Sequence, residues 1–281
     1  MPDAAPLAAS IAAILADTTL PLQEARILLG HALGLTRVQL ITRSETRPDA
    51  EQAERAADLF QRRLAGEPIA YLIGEREFFG LRLKVTPAVL IPRPETELLV
   101  ELALARLPPN GALLDLGTGS GAIPVAIAHT RPDAELSALD ISSAALEVAQ
   151  GNAATHQCKI RFLQSDWYAA LDEERFDVIT ANPPYIVAGD RHLSQGDLRF
   201  EPLDALTDHG DGLSALRSII AGAGACLRPG GWLLMEHGYD QAAAVRDLLR
   251  QAAMLQIQSW DDLAGIARAT GARRSPDDIS K

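Results

Sequence analysis

The chain has 281 residues, of which 47% are hydrophobic, and a formal net charge of −11 at pH 7. This composition excludes wholesale disorder and allows about two domains with sizeable cores. The acidic total argues against bulk nucleic acid as a partner, because proteins that bind duplexes usually present a basic surface. We therefore expect no direct nucleic-acid partner.

Residues 1–72 are predicted to form a small helical domain. Apolar positions recur at helical spacing in residues 20–33, where Gly34 ends the pattern, and again in residues 50–65. Residues 7–16 are apolar enough for a further helix but too short to span a bilayer. Because no cluster of catalytic side chains occurs here, we expect this domain to recognise or support a substrate.

Residues 73–93 are predicted to link this domain to a second one. Two short runs of alternating polarity flank Gly80 and predict a β-hairpin. Pro87 and Pro92 then bound a short apolar run. We take the whole stretch as a β-hairpin link.

Residues 94–281 show alternating strand and helix patterns. Strands are predicted at residues 112–116, 135–139, 159–163, 176–180 and 232–236, and helices at 95–107, 122–129, 142–155, 213–227 and 241–251. The stretch from Ala272 is predicted to be frayed. This order predicts an α/β fold with a doubly wound, mostly parallel sheet.

The cysteines and histidines indicate a reducing compartment and no metal site. Cys158 and Cys226 lie far apart, which is typical of neither a disulfide framework nor a metal site, and the six histidines show no ligand spacing. No basic region of a signal peptide begins the chain. We therefore expect a cytoplasmic protein without a metal or a membrane anchor, and we expect a monomer.

A glycine-rich loop, residues 117–121, follows the first predicted strand of the sheet. Its glycines let the chain turn tightly and let a ligand approach the backbone. Asp140 closes the second strand, where a carboxylate suits two ribose hydroxyls. The glycine spacing departs from the dinucleotide fingerprint, and Asp115 stands where a pyrophosphate would need donors. An acidic residue there fits a cationic cofactor better, which favours S-adenosylmethionine over NAD.

Asp166 and Trp167 follow the third predicted strand and extend the cofactor hypothesis. The Asp166 carboxylate can accept a hydrogen bond from an adenine amine, and the Trp167 ring can lie against the base. Each has a structural alternative. Asp140 and Asp166 can cap the helices that follow them, and Trp167 can be a core residue.

The motif with the strongest signal for chemistry is Asn182-Pro183-Pro184-Tyr185, which follows the strand predicted at residues 176–180. The prolines end the strand, because neither can donate to a sheet ladder, and they fix the backbone beside Asn182. A side-chain amide offers one acceptor and two donors, which suits it to gripping the NH2 group of an amide or an exocyclic amine. A plain strand-ending turn is the alternative. Open α/β sheets place their ligands at the carboxyl ends of strands, which favours a site.

Six segments of the chain together carry a family resemblance. They are residues 66–71, 90–97, 115–121, 164–167, 182–185 and 199–206. The chain resembles the HemK/PrmC family of protein glutamine methyltransferases, which modify class 1 peptide chain release factors. Many methyltransferases share the glycine loop, whereas Ile91-Pro92-Arg93-Pro94-Glu95-Thr96-Glu97 and Phe200-Glu201-Pro202 are more specific. The resemblance covers nearly the whole chain and implies a Rossmann-like class I methyltransferase domain with a helical N-terminal domain.

The resemblance also implies roles for individual residues. The glycine loop, Asp140, Trp167 and Asn182 would contact S-adenosylmethionine, and residues 182–185 would hold the substrate glutamine. The predicted cofactor-binding residues are Asp115, Gly117, Thr118, Gly119, Ser120, Gly121, Asp140, Asp166, Trp167 and Asn182. The predicted catalytic residues are Asn182, Pro183, Pro184 and Tyr185. The expected partner is a class 1 release factor, methylated at the glutamine of its Gly-Gly-Gln motif.

The expected mechanism is one of positioning. A carboxamide nitrogen is a poor nucleophile, because its lone pair is delocalised into the carbonyl. We hypothesise that the Asn182 side-chain oxygen and the Pro183 carbonyl each accept one N–H of the substrate, which directs the lone pair at the methyl carbon. Tyr185 is expected to pack against the amide plane.

Three alternatives remain at this point. A DNA adenine methyltransferase can grip a flipped base with the same loop, but it would need a basic face and a target-recognition domain. A glutamine methyltransferase for a ribosomal protein can share the loop, but such enzymes usually lack the Arg-Pro-Glu-Thr-Glu form of residues 93–97. A non-catalytic cofactor-binding protein would be expected to have a damaged loop, and this loop is intact.

Overall fold

The structure, a computed structural model, describes residues 9–277. The chain divides into two compact units between Gly74 and Glu75. The hairpin that we predicted as a link at residues 73–93 groups with the second unit. The functional roles assigned to the three predicted parts stay predictions.

The first unit is helical. Its helices are α1 (Ile11–Asp17), α2 (Leu22–Leu33), α3 (Arg37–Thr42), α4 (Ala50–Leu64) and α5 (Ile69–Ile73). The α2 helix ends at Gly34, which adopts a left-handed φ of 63°. Sequence reasoning missed α5 and α3, although Thr36 and Gln39 form a capping box at the start of α3. Residues 7 and 8 of the predicted first helix lie outside the described residues.

The second unit contains the hairpin, a large sheet and the helices that cover it. Its elements are β1 (Glu75–Phe78), β2 (Leu81–Lys84), α6 (Glu97–Leu104), β3 (Ala112–Leu116), α7 (Ala122–Thr130), β4 (Glu135–Asp140), α8 (Ser143–Thr155), β5 (Ile160–Gln164), β6 (Phe176–Ala181), α9 (Leu203–Leu206), α10 (Ser214–Cys226), β7 (Leu227–Glu236), α11 (Ala242–Gln251), β8 (Leu255–Asp261) and β9 (Ala267–Arg273). Within residues 9–277, no helix combines the length and the apolar character needed to cross a membrane.

The large sheet has seven strands in the order β5-β4-β3-β6-β7-β9-β8. The strands from β5 to β7 are parallel, whereas β9 runs antiparallel to both β7 and β8. This arrangement confirms the predicted α/β class with a mostly parallel, doubly wound sheet. The chain winds outward from β3 to β5 and then returns to β6. The carboxyl ends of β3 and β6 therefore border the switch point, where open sheets bind ligands.

Strand β3 lies in the middle of the packed core, and all five of its residues are buried. Leu113 packs on one face of the sheet with residues of α6 and α7. Leu114 and Leu116 pack on the other face with residues of α10 and α11. Since full burial of each leucine contributes about 1.5–3 kcal/mol, the strand is firmly held, and so is the start of the loop that follows it.

The prediction of a frayed stretch from Ala272 is wrong for residues 272–274, and residues 278–281 lie outside the described residues. Ala272 is fully buried and belongs to β9, which pairs with β7 on one side and with β8 on the other. Arg274 is also buried, and its backbone N–H donates to the carbonyl of Gly231 at 2.8 Å. The sequence signal is weak because β9 is made of small and polar residues. Its burial depends on the strands beside it.

Candidate active site

A cavity of about 570 Å³ lies at the carboxyl ends of the parallel strands. Nine predicted site residues line it, namely Gly117, Thr118, Gly119, Ser120, Asp140, Asp166, Trp167, Asn182 and Pro184. Four predicted residues are not part of its lining, namely Asp115, Gly121, Pro183 and Tyr185. The fold thus brings the glycine loop and the Asn182 loop to one cavity.

The glycine loop after β3 passes through left-handed backbone, with φ values of 66°, 55° and 78° at Gly117, Gly119 and Gly121. A Cβ at Gly119 would meet no atom within 4 Å, so this backbone is open to a ligand. A Cβ at Gly121 would lie 3.0 Å from the Cβ of Ala149 in α8. Gly121 therefore serves close packing of the loop on α8, which explains its absence from the cavity lining.

Asp140 holds the glycine loop in place from the end of β4. Its carboxylate accepts the N–H of Gly119 at 2.8 Å and the N–H of Ser142 at 2.9 Å. Ser142, and not Asp140, is the N-cap of α8. Burial raises the pKa of Asp140, although these backbone donors oppose the shift. Because a carboxylate has about four lone-pair sites, Asp140 can also accept ribose hydroxyls.

Asp166 and Trp167 form another part of the cavity wall. Ser165 provides the side-chain cap in this segment, because its hydroxyl accepts the N–H of Ala170 at 2.9 Å. The Asp166 side chain is exposed. The Trp167 ring lies over the glycine loop, since a Cβ at Gly117 would be 3.7 Å from it. Trp167 also packs against the core on that side of the sheet. The interpretation of Trp167 as a core residue is therefore confirmed, and contact of its ring with an adenine base stays a prediction.

Asp115 lies beneath the glycine loop and is 1% exposed. One carboxylate oxygen accepts the hydroxyl of Thr180 at 2.7 Å. Burial raises the pKa of Asp115 to about 7, although the Thr118 and Thr180 hydroxyls oppose the shift. The expected contact between Asp115 and a cationic cofactor finds no support in this position.

Replacing Asp115 with asparagine should remove one pH dependence of the free energy of unfolding. Because the folded-state pKa is raised from 3.8 to about 7, the folded protein binds this proton more tightly than the unfolded chain. The resulting stabilisation of the wild type is full below about pH 4 and is lost as the pH rises through about 7. Relative to Asp115→Asn, the wild type should lose about 2–3 kcal/mol between pH 5 and pH 8. Urea unfolding of both proteins measures the difference, and parallel pH curves would contradict the raised pKa.

Asn182 follows directly after β6, and its amide nitrogen donates to the Thr96 hydroxyl oxygen at 3.1 Å. That hydroxyl in turn donates to the Glu236 carboxylate at 2.7 Å. Within residues 9–277, neither the side-chain oxygen of Asn182 nor the carbonyl of Pro183 accepts a hydrogen bond. The loop therefore offers unused acceptors beside the cavity.

Tyr185 is held from two sides. Its hydroxyl donates to Glu236 at 3.1 Å, and its carbonyl accepts the side-chain amide of Gln241 at 3.0 Å. Burial and, to a smaller extent, the nearby Glu236 carboxylate raise the pKa of Tyr185, so the phenol stays protonated. Packing of its ring against a substrate amide stays a prediction, because the ring is not part of the cavity lining.

The two more specific segments of the family resemblance, residues 91–97 and 200–202, meet at the same cavity. The Glu201 carboxylate accepts the N–H of Ile91 at 3.0 Å and forms an ion pair with Arg93. The Glu201 side chain is fully buried, so removing one partner of this pair would leave a buried charge without compensation. Arg93 and Pro202 line the cavity. Sequence reasoning assigned these residues no role.

Sequence reasoning also missed Glu236 and Thr96. Glu236 ends β7, the neighbour of β6 in the sheet. A carboxylate at the carboxyl end of a parallel strand is the same signal that singled out Asp140, so Glu236 could have been found. Thr96 carries no such signal, because the turn before α6 brings it to the site.

The residues of the cavity fit S-adenosylmethionine. Thr118 lines the cavity, and its hydroxyl faces the Asp115 carboxyl beneath the loop, whose pKa it lowers. Asp140 offers acceptors for ribose hydroxyls, Asp166 offers one for an adenine amine, and Trp167 offers an apolar ring face. The open backbone at Gly119 allows close approach of the cofactor.

Comparisons with known proteins agree with this assignment. A family model described as methyltransferase small domain matches residues 94–197, and one described as PrmC N-terminal domain matches residues 7–74. The chain is similar in fold to a methyltransferase from Pyrococcus furiosus, with a TM-score of 0.54 at 18% identity over 78% of this chain and 99% of that chain. The fold and the site together define an S-adenosylmethionine-dependent methyltransferase.

Relatives with high sequence identity show which family of methyltransferases the chain belongs to. The release factor glutamine methyltransferase of Burkholderia pseudomallei is 56% identical over 95% of this chain and 97% of that protein. The enzyme of the same description from Neisseria gonorrhoeae is 54% identical over 89% of this chain and 93% of that protein. The chain belongs to the release factor glutamine methyltransferase family, which confirms the resemblance and the predicted cofactor.

Proposed function

We propose that this protein transfers a methyl group from S-adenosylmethionine to the side-chain amide nitrogen of the glutamine in the Gly-Gly-Gln motif of class 1 release factors. The observation that carries the proposal is the orientation of Asn182 at the cavity. Its amide nitrogen is engaged by Thr96, so its side-chain oxygen is left as an acceptor for a substrate N–H. Family membership supports the choice of a release factor as the substrate.

The mechanism that we propose depends on positioning by Asn182 and Pro183. The Asn182 side-chain oxygen and the Pro183 carbonyl each accept one N–H of the substrate amide, which turns the nitrogen lone pair away from both acceptors. When bound, S-adenosylmethionine would supply an electrophilic methyl group, and the S–CH3 bond would break to leave S-adenosylhomocysteine. Orientation of this kind contributes up to about 7–11 kcal/mol. The two acceptors also stabilise positive charge that develops on the nitrogen. The nitrogen becomes acidic as the new bond forms, so no strong base is required.

The helical first unit is proposed to recognise or support the release factor. It has a core of its own, in which Leu28 and Leu29 are fully buried. A unit with its own core can present a stable docking surface. We further propose that the protein acts as a monomer, without direct contact to nucleic acid.

Methyl transfer to a purified release factor tests the proposed function. The assay uses labelled S-adenosylmethionine with the wild-type factor and with a variant factor whose Gly-Gly-Gln glutamine is replaced by alanine. We expect label on the wild-type factor alone. Equal labelling of both factors would place the methyl group elsewhere. Labelling of neither, by a protein that binds the cofactor, would overturn the substrate assignment.

A further inference from the structure

Behind Asn182 lies a buried polar chain that the proposed reaction does not itself use. Thr96 is 5% exposed and Glu236 is 1% exposed. The chain runs from the Asn182 amide nitrogen to the Thr96 oxygen at 3.1 Å, and from the Thr96 hydroxyl to Glu236 at 2.7 Å. The other Glu236 oxygen accepts the Tyr185 hydroxyl at 3.1 Å. One carboxylate thus connects the first and last residues of the Asn182 loop.

The direction of these hydrogen bonds follows from the charge on Glu236. An ionised carboxylate can only accept, so the single Thr96 proton must point to Glu236. The Thr96 oxygen then has only acceptor capacity left for Asn182. Asn182 must therefore present its NH2 group to Thr96 and keep its side-chain oxygen free.

We propose that Glu236 and Thr96 are positioning residues that fix the orientation of the Asn182 side-chain amide. The proposal rests on the proposed function, in which the Asn182 oxygen accepts a substrate N–H. A protonated carboxyl or an amide at position 236 can donate to Thr96. The hydrogen bonds of the polar chain would then run in the opposite direction. Asn182 would then turn its NH2 group toward the substrate NH2 group, and two donors cannot bond each other.

The surroundings of Glu236 allow the hydrogen bonds of this polar chain to reverse direction within an accessible pH range. Burial raises the pKa of Glu236 to about 6, with the Thr96 and Tyr185 hydroxyls opposing the shift. The charged neighbours are Arg268, which also opposes the shift, and Glu95, which adds to it. Arg93 acts on the nearby Tyr185 phenol and is paired with Glu201. The orientation that we propose for Asn182 is therefore stable above about pH 6 and weakens below it.

Substitutions at Thr96 separate positioning from packing. Thr96→Val keeps the shape but removes the hydroxyl, and we expect kcat to fall about 10- to 100-fold on the wild-type release factor. Thr96→Ser keeps the hydroxyl and should stay within about threefold of wild type. The Kd for S-adenosylmethionine should stay unchanged in both. Equal kcat for Thr96→Val and the wild type would overturn the proposal, as would an equal loss of kcat in both variants.

Glu236→Gln supplies the pH test. In the full-length wild type, kcat should rise with pH through an apparent pKa near 6, and Glu236→Gln should have a low kcat without that step. If Glu236 had a purely structural role, the rise of kcat with pH near 6 would persist in Glu236→Gln. Such a step in the variant would overturn the proposal, because another group would then cause it.

A measurement without substrate keeps the proposal testable if no release factor is methylated. The side-chain amide signals of Asn182, assigned with Asn182→Ala, are followed by 15N NMR in the cofactor-bound protein. We expect them to titrate near pH 6 in the wild type and to be flat in Glu236→Gln. If they titrate while no factor is methylated, the proposed function fails and the positioning chain stands. If the Asn182 signals of the wild type do not change with pH, the proposed positioning by Glu236 and Thr96 is overturned.

Discussion

Asn182→Ala should lower kcat by about 10²–10³-fold, the loss typical of removing one group that stabilises developing charge in a transition state. The Kd for S-adenosylmethionine should change little, because Asp140, Asp166 and Trp167 remain. The substitution removes the acceptor that holds the substrate amide, and it leaves Thr96 without its donor. Single-turnover rates with the wild-type release factor measure the effect.

Asn110→Gly is the matched control for this substitution. Asn110 is an exposed asparagine before β3, at the opposite end of the strand from the glycine loop. Its φ of 51° suits glycine, so the control should keep both activity and stability. Turnover of Asn182→Ala close to that of this control would show that the Asn182 oxygen does not hold the substrate.

Asp140→Ala should weaken S-adenosylmethionine binding by about 100-fold or more, because each hydrogen bond to a charged group contributes about 1.5–3 kcal/mol. Two effects add. The proposed bonds to the ribose hydroxyls are lost, and the N–H groups of Gly119 and Ser142 lose their acceptor. Isothermal titration with S-adenosylmethionine measures the change in Kd.

The control for this prediction is Asp172→Ala. Asp172 is exposed, so its replacement changes the net charge by the same amount without touching the cavity. Cofactor affinity should then be that of the wild type. An Asp140→Ala protein that is folded and binds the cofactor normally would exclude Asp140 from the cofactor site.

Strands β3, β4 and β6 could be predicted from the sequence to within one residue, because most of their residues are buried, whereas β7 begins at Leu227 and not at the predicted Trp232. β3 was placed at its observed bounds, and β4 and β6 each extend one residue further than predicted. Strands β8 and β9, which form the antiparallel end of the sheet, were missed. The small and polar residues of β9 gain burial only from the strands on either side of it, and β8 is an edge strand in which no residue is buried.

The candidate site shows the same division. Asp140 and Asn182 were found because each follows directly on the apolar run of a strand. The buried positions of Asp115, beneath the glycine loop, and of Gly121, where the loop packs on α8, were not found, because their burial depends on the tertiary fold. Thr96 lies 140 residues before Glu236 in the chain, and only the fold shows that they touch.

The position of the methyl group on the release factor tests the central claim most directly. The methylated factor is digested, the labelled peptide is sequenced by tandem mass spectrometry, and its acid hydrolysate is analysed for labelled methylamine. The account predicts a single methyl group on the glutamine of the Gly-Gly-Gln motif, with the label recovered as methylamine, since the methyl carbon is bonded to the amide nitrogen. Label on another residue, or label released as methanol from an ester, would contradict it.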